Sequence, residues 1–180
     1  MLKPSNTWNW YYEENKQTLM LDLGDDLVFQ TNLARKLLVN CALSANEFTV
    51  DDATSFQTFR DPIHSLSLSE PRQAELTLYC VAAKRFHKPV QPRSWFFDHQ
   101  SEGYAPQEAD VIRLVNQYGS GLFIVLEVGD GSSLCTFVEL EEMELTSAKS
   151  LKFGDSIKVM HDRMVCANHM LNTETIALVG

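Results

Sequence analysis

The sequence predicts an α+β protein, with an N-terminal antiparallel meander with helices and a C-terminal half that is small, twisted and β-barrel-like. Three observations lead to this class. An aromatic run near the N-terminus alternates around a polar turn, a long amphipathic segment with helix-capping residues follows, and short apolar runs between glycine-rich turns fill the second half. Because the pattern changes after two prolines, we predict an α/β domain at residues 1–90 and a β-barrel-like domain at residues 91–180.

The first two strands are predicted by an aromatic run, Thr7–Glu13, and an apolar run, Leu19–Leu23, on either side of a polar turn. Within the aromatic run, Trp8, Trp10 and Tyr12 share one face, because side chains alternate along a strand. A continuous aromatic face must be buried or bound. Core packing is the commoner fate of such residues, and binding to a partner stays open at this point.

The meander continues through a turn at Gly24–Asp26 to a third strand at Leu27–Gln30. Helix-forming residues after Asn32, which is typical of an N-cap, predict a short helix over Asn32–Leu38. A second short helix is predicted over Asp51–Phe59, and Pro62 is expected to end it.

The longest helix is predicted over Ser69–His87, with Ser69 as N-cap and Pro71 in the first turn, where its missing N–H matters little. Pro89 and Pro92 follow the helix and impose extended backbone. Apolar residues at spacings of three and four form its main buried face: Ala74, Leu78, Val81, Ala82 and Phe86.

The second half alternates short apolar runs with turns at Gly119–Gly121 and Gly129–Gly131. This spacing is typical of a small barrel or sandwich. The predicted strands are Trp95–Phe97, Val111–Val115, Leu122–Val128, Leu134–Leu140, Met143–Thr146, Ser156–Met160 and Ile176–Val179.

Composition places the chain among globular proteins, with 44% hydrophobic and 22% charged residues over 180 positions. The four cysteines are far apart, which suits reduced thiols in the cytosol. With no run of eighteen apolar residues and no apolar leader, the sequence predicts a cytoplasmic protein without a membrane segment. A net charge of -9 argues against nucleic acid as the partner.

The charges are unevenly distributed along the chain. Residues 101–148 contain nine acids and a single base, Arg113, whereas four bases lie close together just upstream. The first three of these bases can complement the dipole at the end of the long helix, or the cluster can receive an acidic partner. They are Lys84, Arg85, Lys88 and Arg93.

Motifs of catalysis and cofactor binding do not occur in this sequence. It has no glycine-rich dinucleotide or phosphate loop and no Gly-x-Ser-x-Gly elbow. The one metal-like group, His161 with Cys166 and His169, matches no zinc spacing. We therefore predict a protein that is not an enzyme and that has no cofactor and no metal.

Five segments carry a family resemblance, which rests on their order and spacing: Trp8–Tyr12 with Met20–Leu23, Ala34–Leu38, Val50–Ala53, Leu66–Trp95, and Gly154–Met160 with Asp162–Arg163. They resemble the ZapC family of bacterial Z-ring-associated division proteins. The resemblance implies an α/β N-terminal part and a β-barrel-like C-terminal part. It also implies a cytoplasmic protein, concentrated at midcell, that binds FtsZ directly, bundles FtsZ filaments, stabilises the Z-ring and restrains FtsZ's GTPase activity.

The candidate contact residues combine the aromatic hairpin with the basic residues around the two prolines, because aromatic and arginine side chains are the usual anchors of interfaces. Self-association of the chain is a further possibility. Two other classes remain open, a small-molecule-binding or regulatory module and a single-strand nucleic-acid-binding barrel. The candidate residues are Trp8, Trp10, Tyr11, Leu21, Phe29, Arg35, Lys84, Arg85, Lys88, Arg93 and Trp95.

Overall fold

Two units, each with its own sheet, make up the part of the chain that the computed structural model describes, residues 2–169 and Leu171. The first unit comprises the residues up to Asp61 together with Leu68–Pro89. The second comprises Pro62–Ser67 and the residues from Val90 onward. Whether residues 1–90 and 91–180 fold as independent domains stays a prediction, which expression of each range alone would test.

The first unit confirms the predicted antiparallel meander. Its hairpin places Trp10 opposite Leu21 and Tyr12 opposite Leu19, so the aromatic face of one strand meets apolar residues of the next. The strands follow the order β3-β2-β1-β4 and comprise β1 (Asn9–Glu13), β2 (Thr18–Asp22), β3 (Val28–Ala34) and β4 (Asn46–Glu47).

The predicted helix over Asn32–Leu38 is wrong, because β3 continues to Ala34 and only a short 3₁₀ turn, Arg35–Leu37, follows. Hydroxyl groups hold the irregular end of β3 against β2. The Thr31 hydroxyl donates to the Leu19 carbonyl over 2.7 Å, and the Thr18 hydroxyl lies 3.0 Å from the Leu33 carbonyl oxygen. Strand pairing therefore outweighs local helix propensity.

Two helices follow the sheet, α1 (Val50–His64) and α2 (Glu70–Phe86). α2 begins as predicted, with the Ser69 hydroxyl accepting a hydrogen bond from the Arg72 N–H. The predicted end of α1 at Phe59 is wrong, since the helix runs through Pro62. Pro62 lies in the last turn, where its ring removes only one helical hydrogen bond.

α2 lies on the aromatic face of the first sheet. The Phe86 ring is 5.4 Å from the Trp10 ring, and the Tyr79 ring is 5.3 Å from the Phe29 ring. Trp10 and Phe86 have no exposed surface. The aromatic strip of the hairpin thus forms the core of the first unit.

The second unit is built on an open antiparallel sheet of five strands in the order β10-β7-β6-β5-β11. Its sheet-rich character is as predicted, but none of the three sheets among the described residues closes into a barrel. The strands are β5 (Val111–Asn116), β6 (Gly119–Val128), β7 (Ser132–Phe137), β10 (Ser156–Met160) and β11 (Val165–Cys166), with a separate pair, β8 (Met143–Glu144) and β9 (Ser150–Leu151).

Several predicted elements of this half differ from the structure. Trp95–Phe97 is not a strand, because Ser94–Phe96 forms a 3₁₀ turn. The turn placed at Gly119–Gly121 lies instead at Gln117 and Tyr118. The strand predicted over Ile176–Val179 lies outside the described residues.

Gly121 is a buried strand residue whose missing side chain allows close packing. A Cβ atom there would lie 2.8 Å from both Met143 Sδ and Phe137 Cε1. The glycine therefore serves the approach of the β8 segment to β6 rather than the turn between strands.

Candidate functional site

The aromatic hairpin does not form an open surface in this structure. Trp8, Trp10 and Leu21 are 3%, 0% and 0% exposed, and the Trp8 ring lies 5.0 Å from the Phe48 ring at a steep angle. These three candidates stabilise the first unit by burial and aromatic contact. In this conformation their side chains have almost no exposed surface to offer a partner.

Arg85 is tied to a buried carboxylate of its own unit. Its Nη1 atom lies 2.5 Å from Asp52 Oδ2 and 2.8 Å from the Glu47 carbonyl oxygen. The same Asp52 oxygen accepts the indole N–H of Trp10 over 3.1 Å and the N–H of Thr49 over 3.0 Å. The Asp52 side chain thus links β1, the start of α1 and the end of α2. Because Arg85 is one of its three donors, Arg85 has a structural role.

Three further candidates are half-buried. The Lys84 ammonium lies 5.6 Å from the centre of the Phe59 ring, and Phe29 packs against Tyr79. Tyr11 lies on the face of β1 opposite Trp10 by strand alternation. None of them presents a fully open side chain.

Two segments far apart in sequence meet in the first unit and carry exposed cations. Leu38 and His87 form an isolated antiparallel bridge, and the Lys88 N–H donates to the Leu37 carbonyl over 2.8 Å. The bridge brings Lys88 next to the Arg35–Leu37 turn. We call Arg35, Lys36 and Lys88 the basic surface; all three are exposed, and none forms an ion pair among the described residues. Sequence reasoning missed Lys36, although it stands beside Arg35.

Trp95 is the exposed tryptophan of the chain, at 71%, and it stands on a firmly held turn in the second unit. The Ser94 hydroxyl accepts the N–H of Met160 over 2.8 Å, and the Arg93 N–H donates to the Lys158 carbonyl over the same distance. The next residues, Phe96 and Phe97, belong to the core of the unit. The backbone under the indole is therefore fixed, and Arg93, two positions before Trp95, has an exposed side chain.

The Trp95 indole borders a recess of about 440 Å³, which we call the Trp95 recess. Some polar groups of its wall already have hydrogen-bond partners within the chain. The Asn116 amide donates to the Glu144 carbonyl and accepts a hydrogen bond from the Tyr118 N–H. The recess is lined by Trp95, Phe96, Phe97, Asp98, Asn116, Gln117, Leu145 and Thr146. Asp98, Gln117 and the rest of this wall were not among the sequence candidates, because they come together only in the fold.

The described residues include no metal-binding cluster beside these surfaces. Within residues 2–169, no three His, Cys, Asp or Glu side chains lie close enough together to hold a metal ion. Burial raises the pKa of the Cys135 thiol, which keeps this sulfur protonated and a poor nucleophile.

Comparison with known proteins assigns the family. The model of the N-terminal region of cell-division protein ZapC matches residues 1–88, and the model of its C-terminal region matches residues 89–170. Proteins named cell division protein ZapC from Vibrio vulnificus and Vibrio cholerae are 58% and 56% identical to this chain, and each comparison covers the full length of both sequences. The chain belongs to the ZapC family of cell-division proteins.

A more distant ZapC, from Aeromonas hydrophila, is 34% identical over 163 residues, which cover 91% of each chain. The assignment to a cell-division family thus rests on matches along the whole chain rather than on one motif. No helix in the described part of the molecule is long and apolar enough to cross a membrane.

Proposed function

We propose that this chain is a non-enzymatic accessory protein of cell division, cytoplasmic and concentrated at midcell, that binds FtsZ directly. In this role it promotes lateral association of FtsZ filaments, stabilises the Z-ring and restrains FtsZ's GTPase activity. Membership of the ZapC family supports the division role, and the resemblance of the family segments supports FtsZ as the partner. The observation that carries direct binding is Trp95.

An indole exposed on a fixed backbone is the usual chemistry of an interface anchor. Burying it against a partner removes a large apolar surface from water and costs little conformational entropy, because the turn beneath it is already ordered. Tryptophan is accordingly enriched among residues whose truncation costs most in binding. The Trp95 recess supplies a concave surface beside the indole for a partner side chain.

The basic surface of the first unit provides a second, chemically different contact. Its three cations form no ion pair with other described residues, and the net charge of the whole chain is -9. FtsZ is acidic, so cations collected at one place would speed encounter and favour one orientation of docking. Two separate surfaces on one monomer satisfy the requirement for joining filaments, and self-association of a single surface would satisfy it as well.

Sedimentation of GTP-polymerised FtsZ with and without the protein, followed by negative-stain electron microscopy, tests this function. Co-pelleting with bundled filaments is the expected result. The mass of the free protein, measured by analytical ultracentrifugation, separates a bundling monomer with two surfaces from a dimer with one. Absence of co-pelleting with the cognate FtsZ would overturn the proposal.

Each surface can be removed separately. We expect Trp95→Ala, and the double charge reversal Arg35→Glu with Lys88→Glu, each to leave some co-pelleting but no bundles, because one contact remains. Loss of a central aromatic anchor corresponds to at least 2 kcal/mol, or about a 30-fold weaker Kd. Folding should persist, since these side chains are exposed.

The matched controls are Val128→Ala, an exposed apolar residue that does not line the recess, and Lys3→Glu with Lys149→Glu, which changes the net charge equally. All three control substitutions should bundle like the wild type. Normal bundling by either surface variant would contradict the two-surface arrangement.

A small-molecule-binding or regulatory module is the second candidate, and the Trp95 recess is the observation that favours it. Its volume lies at the lower end of the roughly 300–1,000 Å³ found for ligand sites. A thermal-shift screen would support this candidate by a saturable rise in Tm that Trp95→Ala abolishes.

A further inference from the structure

We propose that the Trp95 recess is an arginine-binding site, which receives one arginine side chain of the partner stacked on the indole of Trp95 and paired with the carboxylate of Asp98. This inference rests on the proposed function only for the identity of the partner. The chemistry of the recess itself, its aromatic wall, its free carboxylate and its size, carries the choice of arginine.

Asp98 is the only ionisable side chain among the eight residues that line the recess, and it is exposed. Its backbone N–H donates to the Val115 carbonyl, which fixes its position, while its carboxylate has no hydrogen bond or ion pair within the described residues. Arg163, which donates to the Phe97 carbonyl, pairs with Asp162 at 2.7 Å, and His99 Nε2 lies 3.4 Å from the same Asp162 carboxylate. Arg93, the exposed cation two positions before Trp95, forms no ion pair with Asp98. The charge of Asp98 is therefore available to a ligand.

The remaining polar groups of the wall are largely satisfied. The hydroxyl of Thr146 accepts the N–H groups of Ala148 and Lys149 at 3.1 and 3.0 Å, and both ends of the Asn116 amide are bonded. Asp98 is the one charged group of this wall, so it would repel an anionic ligand and attract a cation. Four of the lining residues belong to residues 101–148, a segment with nine acids and one base: Asn116, Gln117, Leu145 and Thr146.

Arginine fits an aromatic wall next to a carboxylate better than lysine does. Its guanidinium is planar, weakly hydrated and able to stack on a ring, and its fork of donors matches a carboxylate. The first unit contains the same arrangement already formed within the chain. There the Arg85 guanidinium lies 4.7 Å from the centre of the Phe86 ring and its Nη1 reaches Asp52.

The size of the recess is compatible with this occupant. A volume of about 440 Å³ has room for one long side chain entering from an extended segment. The apolar stem of arginine would lie along Phe97 and Leu145, while its head reaches Asp98.

The three tryptophans make a direct test possible, because only one indole is exposed while Trp8 and Trp10 are buried. The full chain, labelled with ¹⁵N, is titrated with N-acetyl-arginine amide, its lysine counterpart and its neutral isostere N-acetyl-citrulline amide at constant ionic strength. Trp95→Phe assigns the indole resonance. We expect a saturable shift of Trp95 with arginine, with a Kd on the order of millimolar, and binding of citrulline at least about fivefold weaker.

Asp98→Asn should weaken arginine binding about fivefold, which corresponds to roughly 1 kcal/mol at 1.4 kcal/mol per tenfold. Asp130→Asn, an exposed carboxylate in the turn between β6 and β7, is the matched control and should bind like the wild type. The Tm of Asp98→Asn should be unchanged, because the carboxylate has no hydrogen bond or ion pair with any described residue. Equal binding of arginine and citrulline, unchanged binding by Asp98→Asn, or a clear fall in its Tm would each overturn the inference.

The same variants in the FtsZ sedimentation assay separate the two proposals. If Trp95→Ala weakens co-pelleting and Asp98→Asn does not, the arginine site is wrong and the FtsZ function stands. If the recess selects arginine over citrulline but the protein does not pellet with FtsZ, the arginine site stands and FtsZ is not the partner.

Discussion

Replacement of Asp52 by alanine should strongly destabilise the first unit, because one carboxylate oxygen serves three donors. The indole N–H of Trp10, fully buried, would lose its acceptor at a cost of about 1–3 kcal/mol. The Thr49 N–H, which with the Asp52 N–H and the Thr49 hydroxyl forms a reciprocal cap at the start of α1, would lose a bond of about 0.5–2 kcal/mol. The ion pair with Arg85, whose side chain is 28% exposed, is screened by water and adds about 1 kcal/mol.

The expected total is a loss of about 2–4 kcal/mol, a large fraction of the stability of an ordinary domain. Asp52→Asn keeps an acceptor oxygen and should lose about half as much. Asp51→Ala is the matched control, since this neighbouring carboxylate is exposed and its removal should cost less than about 1 kcal/mol.

Urea unfolding followed by tryptophan fluorescence measures these free energies. A Trp95→Phe background confines the signal to Trp8 and Trp10, which both lie in the first unit. A double-mutant cycle with Arg85→Ala should give a coupling of about 1 kcal/mol or more. A loss below about 1 kcal/mol for Asp52→Ala, or additive effects in the cycle, would refute the role given to this carboxylate.

Two further substitutions test the packing and backbone of the second unit. Gly121→Ala should lower the free energy of unfolding by about 1–3 kcal/mol, because its Cβ would lie 2.8 Å from Met143 Sδ and Phe137 Cε1. Gly103→Ala is the control, since a Cβ there meets open space, and it should be neutral or slightly stabilising. Urea unfolding measures both variants, and equal effects would contradict the close packing at Gly121. Ala109→Gly should raise stability by up to about 1 kcal/mol, since Ala109 has a φ of 70° in the left-handed region, while Ala105→Gly should lower it. A loss of stability in Ala109→Gly, measured in the same assay, would show that the positive φ carries no strain.

The sequence pattern was sufficient to predict the elements whose structure depends on residues close by in the sequence. The first hairpin follows from strict alternation, and α2 follows from its N-cap Ser69 and its apolar spacing. The end of β3 was mispredicted as helix because it is decided by hydroxyl bonds to β2, twelve or more residues away. The role of Gly121 depends on Met143 and Phe137, which the sequence alone does not place beside it.

The candidate site divides in the same way. Trp95 and the basic residues could be named as candidates from the sequence, because aromatic and cationic side chains are typical of interfaces. Asp98 was missed because it gains meaning only next to the Trp95 ring and the wall of the recess. Arg85 was named as a candidate contact residue because the sequence does not show its ion pair. Its partner, Asp52, lies 33 positions away in the chain.

The different fates of the tryptophans follow from the backbone on which they stand. In β1, alternation directs Trp10 to the face that α2 covers, so its burial stabilises the fold. Trp95 instead precedes Phe96 and Phe97 at a 3₁₀ turn, where successive side chains point about 120° apart, so three consecutive aromatics cannot all face one core. Phe96 and Phe97 occupy the core, and the indole of Trp95 remains in water. Fold stability therefore does not account for a tryptophan at this position, which supports the proposed contact with a partner.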